Sequence, residues 1–68
     1  MDTVTVTATG RRYTLTFSRL PGRKFGPWPF ADTVRDLRVS ALLSAVAARD
    51  LVMDASVHGS VTAEVDHG

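Results

Sequence analysis

The chain contains no cysteine, which excludes disulfide bonds, thiolate zinc sites and cysteine-nucleophile chemistry. At 68 residues the chain has the length of one domain, residues 1–68. A domain of this size buries only about 60% of the surface that its unfolded chain exposes, so its core is thin. Thin cores are usually reinforced by disulfides, a structural metal or oligomerisation. Without cysteine, the last two are left.

Long apolar runs are also missing. The longest, residues 39–48, is interrupted by Ser40 and Ser44 and falls well short of the roughly 20 apolar residues that span a bilayer. The N-terminal residues show no basic segment followed by an apolar one, so we expect no signal peptide, no membrane association and a cytoplasmic protein. Lysine is scarce, with one against seven arginines, a bias typical of a GC-rich bacterial or phage genome.

Residues suited to catalysis are few and poorly placed. The two histidines, His58 and His67, lie in a predicted turn and beside the C-terminus, and with Glu64 or Asp66 they match no standard zinc spacing. Ser40 and Ser44, one helical turn apart, have no histidine placed near them by sequence, and Gly22 and Gly26 with their surrounding prolines lack the strand–loop–helix frame of a phosphate-binding loop. We therefore expect no enzyme activity, no catalytic or cofactor-binding residue, no metal site and no cofactor.

The first eighteen residues carry the clearest structural signal. Apolar residues alternate with threonine on both sides of Gly10, which is the pattern of half-buried strands. A two-residue loop at Gly10 and Arg11 puts all the apolar side chains on one face and all the threonines on the other. The predicted hairpin covers residues 3–18 and pairs Ala8 with Tyr13, Val6 with Leu15, and Val4 with Phe17.

The next segment, residues 19–31, is predicted to be a loop, because three prolines and two glycines interrupt it. It nevertheless contains three of the five aromatic residues of the chain. One interpretation is that Trp28 and Phe30 fold back and cap the thin core. The other is that the loop projects as an anchor for a protein partner, since tryptophan is common at interfaces. The residues of that predicted partner-binding site are Arg23, Lys24, Phe25 and Trp28.

A helix is predicted over residues 32–50, with Asp32 or Thr33 as its N-cap. Projection at 100° per residue gives two apolar stripes where a surface helix normally has one. The stripes comprise Val39, Leu42, Leu43 and Val46 on one side, and Val34, Leu37, Ala41, Ala45 and Ala48, extended by Val52, on the other. One stripe covers the sheet, so the other predicts self-association. We assign the contact to the alanine-rich stripe, at Leu37, Ala41, Ala45 and Ala48; the alternative is that these alanines are plain exposed helix surface.

The C-terminal part, residues 51–66, is predicted to be a strand or a hairpin. A strand over residues 60–65 follows from its alternation, whereas residues 51–57 fit either a first hairpin strand or the end of the helix. The predicted fold is therefore α+β, a small single-layer sheet with one packed helix, in the order ββαβ or ββαββ.

Charge is unevenly distributed although the net charge is only +1. Residues 3–31 carry five basic residues and no acidic one, while residues 32–68 carry three arginines and six acids. The basic residues are Arg11, Arg12, Arg19, Arg23 and Lys24. Interleaved with aromatic residues, they suit phosphate contact with base stacking, or a basic ribbon tip in a groove of DNA. The sequence pI near 8.4 lies below the value of about 9 expected for a nucleic-acid-binding domain.

These observations favour a small, non-enzymatic protein-interaction module that forms a homo-oligomer and binds or modulates a larger protein. The alternative hypothesis is a nucleic-acid-binding protein that uses the hairpin tip and the aromatic-basic loop.

Overall fold

The computed structural model describes residues 2–65, which form four strands and two helices. Their bounds in chain order are β1 (Asp2–Thr9), β2 (Arg12–Phe17), β3 (Lys24–Trp28), α1 (Phe30–Ser40), α2 (Ala45–His58) and β4 (Ser60–Val65). The strands form one antiparallel sheet in the order β3-β2-β1-β4. The predicted α+β class is confirmed, with the element order βββααβ.

The N-terminal hairpin forms in the predicted register. Val4 pairs with Phe17, Val6 with Leu15 and Ala8 with Tyr13. Gly10 adopts a φ of +63°, a left-handed conformation that glycine reaches without a steric penalty. Because side chains alternate along a strand, the apolar residues face the helices and the threonines face the other way.

The predicted loop over residues 19–31 is wrong for its second half, where β3 and the start of α1 lie. β3 pairs with β2 through a register shift opposite Gly26 and Pro27. An edge strand bonds to a neighbour on one side only, and therefore tolerates a proline and a bulge that a central strand would not. The paired residues are Tyr13 with Trp28, Leu15 with Phe25, and Thr16 with Lys24.

The single predicted helix over residues 32–50 is also wrong, because the chain turns between residues 41 and 44. Leu42 adopts a φ of +56°, which no α-helix accommodates. Ser44 then caps α2, its Oγ accepting a hydrogen bond from the backbone N–H of Ala47 at 3.1 Å. The second helix extends to His58, so residues 51–57 are helical and the C-terminal hairpin does not form.

The start of α1 differs from the predicted N-cap as well. The cap position is Pro29, and Thr33 lies one turn inside the helix, fully buried. Its Oγ donates a hydrogen bond to the carbonyl oxygen of Pro29 at 2.9 Å, which satisfies the hydroxyl inside the core. Asp32 lies in the first turn, where a carboxylate interacts favourably with the positive end of the helix dipole.

Both helices pack on the same face of the sheet. Helix α1 contacts β2 and β3, helix α2 contacts β1 and β4, and the helices contact each other. The enclosed core consists of Val4, Val6, Tyr13, Leu15, Phe17, Leu37, Ala41, Ala48, Val52, Ala55 and Val65. Neither helix of residues 2–65 is long and apolar enough to cross a lipid bilayer.

Candidate functional site

The five basic residues of the N-terminal half do not form one patch. Arg11 and Arg12 lie at the turn between β1 and β2, whereas Arg19, Arg23 and Lys24 lie at the β2–β3 connection, at the opposite end of β2. The two ends are separated by the length of that strand, about 17 Å at roughly 3.4 Å per residue. The single basic surface suggested by the sequence is therefore corrected to two clusters.

A groove of about 330 Å³ lies beside the second cluster, and we call it the basic groove. Its polar lining comprises Thr3, Thr5, Thr16, Ser18, Arg23 and Lys24. Lys24 belongs to the threonine face of the sheet because its strand partner is Thr16. Hydroxyl groups beside the Lys24 ammonium group form an environment that suits an anionic oxygen. The groove can therefore accept a phosphate or a carboxylate group.

The aromatic residues that sequence reasoning combined with these cations face the other way. Phe25 is half-buried on the helix side, with its ring edge-to-face with Phe17 at 5.7 Å. The Arg23 guanidinium carbon lies 5.9 Å from the centre of the Phe25 ring. These contacts place the Phe25 ring away from the threonine face, so it offers no stacking platform there.

Trp28 packs against the core, and Phe30 contacts the margin of the core. Trp28 is half-buried, and Phe30 makes an edge contact with Tyr13 at 6.1 Å while its side chain stays about one-third exposed, at 36%. The predicted partner-binding set is therefore divided. Lys24 lies on the threonine face and lines the basic groove, whereas Phe25 and Trp28 lie on the helix side. Arg23 borders the same groove, but its guanidinium group lies over the Phe25 ring.

Trp28 also borders a second groove, of about 430 Å³, between β3 and α1. Its other lining residues are Asp32, Arg35, Asp36 and Val39. Partial burial raises the pKa of the Asp36 carboxyl group, and a hydrogen bond with Ser40 partly offsets that rise. This groove carries charges of both signs, and among its residues sequence reasoning named only Trp28 as a candidate binding residue.

A third groove, of about 330 Å³, lies between the two helices, and we call it the helix groove. It is lined by Phe30, Ala31, Val34, Ala45, Val46 and Arg49. Apolar exposure continues from Val46 along α2 to Met53 and Val57, whose side chains are 62%, 51% and 78% exposed. Their spacing of seven and four residues places all three on one stripe of the helix. This stripe points to solvent because the buried residues Ala48, Val52 and Ala55 occupy the opposite side.

The residues predicted for self-association are mostly inside the chain's own core. Leu37, Ala41 and Ala48 are at most 1% exposed, and only Ala45 is exposed, as part of the helix groove. The turn at residues 41–44 explains why the alanine-rich stripe is buried and not exposed. Because the chain turns there, both helices can direct their part of this stripe towards the sheet. Most of the stripe that was expected to cover the sheet stays exposed instead, at Val39, Leu42 and Val46.

No group of three or more histidine, aspartate or glutamate residues within residues 2–65 lies close enough to hold a metal ion. Asp66 and His67, which the sequence placed beside His58 and Glu64, lie outside the described residues. Comparisons with protein-family models, curated proteins and solved structures gave no significant match.

Proposed function

We propose that this chain is a protein-interaction module that self-associates and binds a partner protein in the helix groove. The exposed apolar surface of the helices carries the proposal. Soluble monomers rarely leave large apolar side chains grouped in this way, and such patches mark interaction sites. Here a concave apolar groove continues into a stripe of three exposed residues on α2.

The lining of the helix groove indicates the kind of partner that fits it. The groove is apolar except for Arg49, the single charged residue among those that line it within the described chain. An amphipathic helix supplies apolar side chains at spacings of three and four residues, which suits a groove between two helices. A carboxylate on that partner helix would meet the Arg49 guanidinium group. The partner surface is therefore an apolar helix face with an acidic flank.

The substitution Val46→Asp tests this assignment by placing a charge in the groove. Val46 is exposed, so the fold and the melting temperature are expected to remain close to wild type. Binding is expected to weaken by roughly tenfold or more, because the carboxylate would be desolvated against apolar groups of the partner. The measurement is affinity capture from a bacterial lysate, with the recovered proteins quantified by mass spectrometry.

The matched control is Val39→Asp. Val39 is somewhat more exposed than Val46 and belongs to the groove beside Trp28 instead. The proposal expects a protein that wild type and Val39→Asp capture equally and that Val46→Asp loses. Equal capture by all three, or loss with Val39→Asp alone, would contradict binding in the helix groove.

A second candidate function is nucleic-acid binding on the threonine face, and the basic groove favours it. Arg23, Lys24 and several hydroxyl groups line that groove, and Arg11 and Arg12 lie about 17 Å away at the other end of β2. Phosphate groups are contacted by such side chains, independently of base sequence. The aromatic rings on the helix side supply no base stacking to this surface.

For this candidate, the double variant Arg23→Ala/Lys24→Ala is compared with Arg35→Ala/Arg38→Ala on α1. Both remove two positive charges, but only the first pair lies at the basic groove. In gel shifts at low salt with single- and double-stranded DNA and RNA, the first double variant is expected to bind more weakly. Its salt dependence is also expected to become shallower, by about one unit per lost phosphate contact. No complex with wild type, or equal weakening by both double variants, would exclude this candidate.

A further inference from the structure

The two edges of the sheet are built differently. At one edge, β3 is short and contains Gly26, Pro27, a register shift and a lysine, features that discourage pairing with another strand. At the other edge, β4 pairs with β1 over six consecutive residues, Ser60–Val65, without irregularity. The sequence of β4 contains no proline, glycine or lysine. Among the features that usually protect an edge, the described residues of β4 therefore have only one charged side chain, Glu64.

Two hydrogen bonds establish which backbone groups of β4 face outwards. The N–H of Ala8 donates to the carbonyl oxygen of Gly59 at 2.8 Å, and the N–H of Ser18 donates to the carbonyl oxygen of Thr3 at 3.0 Å. The backbone N–H and C=O groups of successive residues in an antiparallel strand point alternately to its two sides. The even-numbered residues of β1 therefore form their backbone hydrogen bonds with β4, and the odd-numbered residues form theirs with β2. In the register of β1 with β4, the partners of the even-numbered residues are Val61, Ala63 and Val65. The backbone groups of Ser60, Thr62 and Glu64 consequently point away from the sheet.

We propose that β4 pairs antiparallel with β4 of a second copy of this chain, about a twofold axis at Thr62. This proposal rests on the self-association that is part of the proposed function, and it assigns that self-association to the β4 edge. In this register Thr62 faces Thr62 of the second copy, and Ser60 faces Glu64. Each of these outward-pointing pairs can exchange two N–H···O hydrogen bonds. The two sheets then join into one continuous antiparallel sheet.

The side chains of β4 suit a second copy. No two like charges face each other, because the only charged residue on the outward-pointing positions, Glu64, lies opposite a serine. Threonine pairs across strands already occur in this sheet, where the Thr5 and Thr62 hydroxyl oxygens lie 2.9 Å apart. On the helix side, Val61 would face Ala63, two apolar residues that extend the core across the axis.

Helix α2 adds to the same surface. Ala45 and Arg49 line the helix groove beside α1, so the opposite flank of α2, which includes Ala47, Leu51 and the exposed Asp54, lies on the β4 side. Leu51 is half-buried. Along α2, Leu51 lies about 10 Å before the C-terminal end of the helix, at 1.5 Å per residue. Along β4, Thr62 lies about 10 Å beyond Gly59, at 3.3 Å per residue. Leu51 therefore lies at about the same level along the strand direction as Thr62, through which the twofold axis passes. At that level α2 of the second copy would contact it. This helix contact matters because a stable interface buries on the order of 1,200–2,000 Å², more than one strand pair supplies.

Light scattering on wild type, Thr62→Lys and Thr7→Lys tests the proposal. Both substitutions replace a threonine of the same face by lysine, but Thr7 lies on the interior strand β1. The wild-type protein and Thr7→Lys are expected to have a molecular mass of twice the 7.3 kDa of one chain. Thr62→Lys is expected at the mass of one chain, because two ammonium groups would face each other across the axis.

Single cysteines test the register directly, since the natural chain has none. Thr62→Cys is expected to form a disulfide-linked dimer under mild oxidation, because bonded strand partners lie about 5.5 Å apart between Cα atoms. Ser60→Cys is the control, since the two copies of that residue would lie about 14 Å apart along the strands, at roughly 3.4 Å per residue. Equal cross-linking of both variants, or of neither, would overturn the register.

The outcomes separate this proposal from the wider one. If the wild-type protein stays monomeric in light scattering at several hundred micromolar, about the highest protein concentration used, both β4 pairing and self-association would be overturned. Partner binding in the helix groove would still be decided by Val46→Asp. A wild-type dimer that Thr62→Lys leaves intact would overturn β4 pairing alone and leave self-association to another surface.

Discussion

Replacing Leu37 by alanine is expected to lower the free energy of unfolding by about 2–5 kcal/mol. Leu37 is fully buried among the core residues that α1 and α2 hold against the sheet. Its removal loses apolar contacts and leaves a cavity, and a domain below about 70–80 residues rarely has more than 3–5 kcal/mol of stability in total. Much of the variant should therefore be unfolded at 25 °C, as circular dichroism and urea titration would show.

The control for this prediction is Leu42→Ala, the same chemical change at a leucine that is 66% exposed. It is expected to change the free energy of unfolding by no more than about 0.5 kcal/mol. The pair also distinguishes the structure from the sequence-based assignment of Leu37 to a self-association surface. If Leu37→Ala kept wild-type stability and only dissociated an oligomer, the core described here would be wrong at that position.

Replacing Gly26 by alanine is expected to cost about 2–4 kcal/mol and to separate β3 from β2. Gly26 has a φ of +108°, and an added Cβ would lie 2.7 Å from the carbonyl oxygen of Tyr13 and 3.0 Å from the backbone nitrogen of Trp28. Both atoms belong to the backbone of the paired strands, so they can move only if the pairing itself is disturbed. The single tryptophan, Trp28, reports that loss through a red shift of its fluorescence.

Gly22→Ala provides the matched control. Gly22 also has a positive φ, of +82°, but nothing lies within 4 Å of an added Cβ. Gly22→Ala is expected to lower the free energy of unfolding by about 1–2 kcal/mol, which is the cost of a left-handed backbone conformation for alanine. The tryptophan fluorescence is expected to stay unchanged. Equal destabilisation by both substitutions would mean that backbone conformation alone, and not the close approach of β2, requires glycine at position 26.

The N-terminal hairpin was predictable because its signal is local. Alternation with a period of two and a glycine at the turn determine strand, partner and register together. β3 was not predictable on the same basis, since Gly26 and Pro27 normally exclude a strand. What permits the strand is its place at the edge of the sheet, and that place depends on contacts between distant parts of the chain.

The helices show a second limit of sequence reasoning. A period near 3.6 residues continues through residues 41–44 without glycine or proline, so the sequence predicts one uninterrupted helix. The turn is instead made by Leu42 in a left-handed conformation and by the side-chain cap of Ser44. Because the helix groove exists only where the chain turns back, the candidate partner site could not be found before the turn was known. The basic residues were identifiable, but their division between two ends of β2 was not.

The placement of both helices on one side of the sheet has a consequence for how the molecule could be used. The helix groove and the basic groove lie on opposite faces, with the full thickness of the sheet between them. Because the sheet separates the two grooves, an occupant of one would not exclude an occupant of the other. The two candidate ligands would therefore bind without competition, and a chain of this size could act as a bridge between a protein and an anionic polymer.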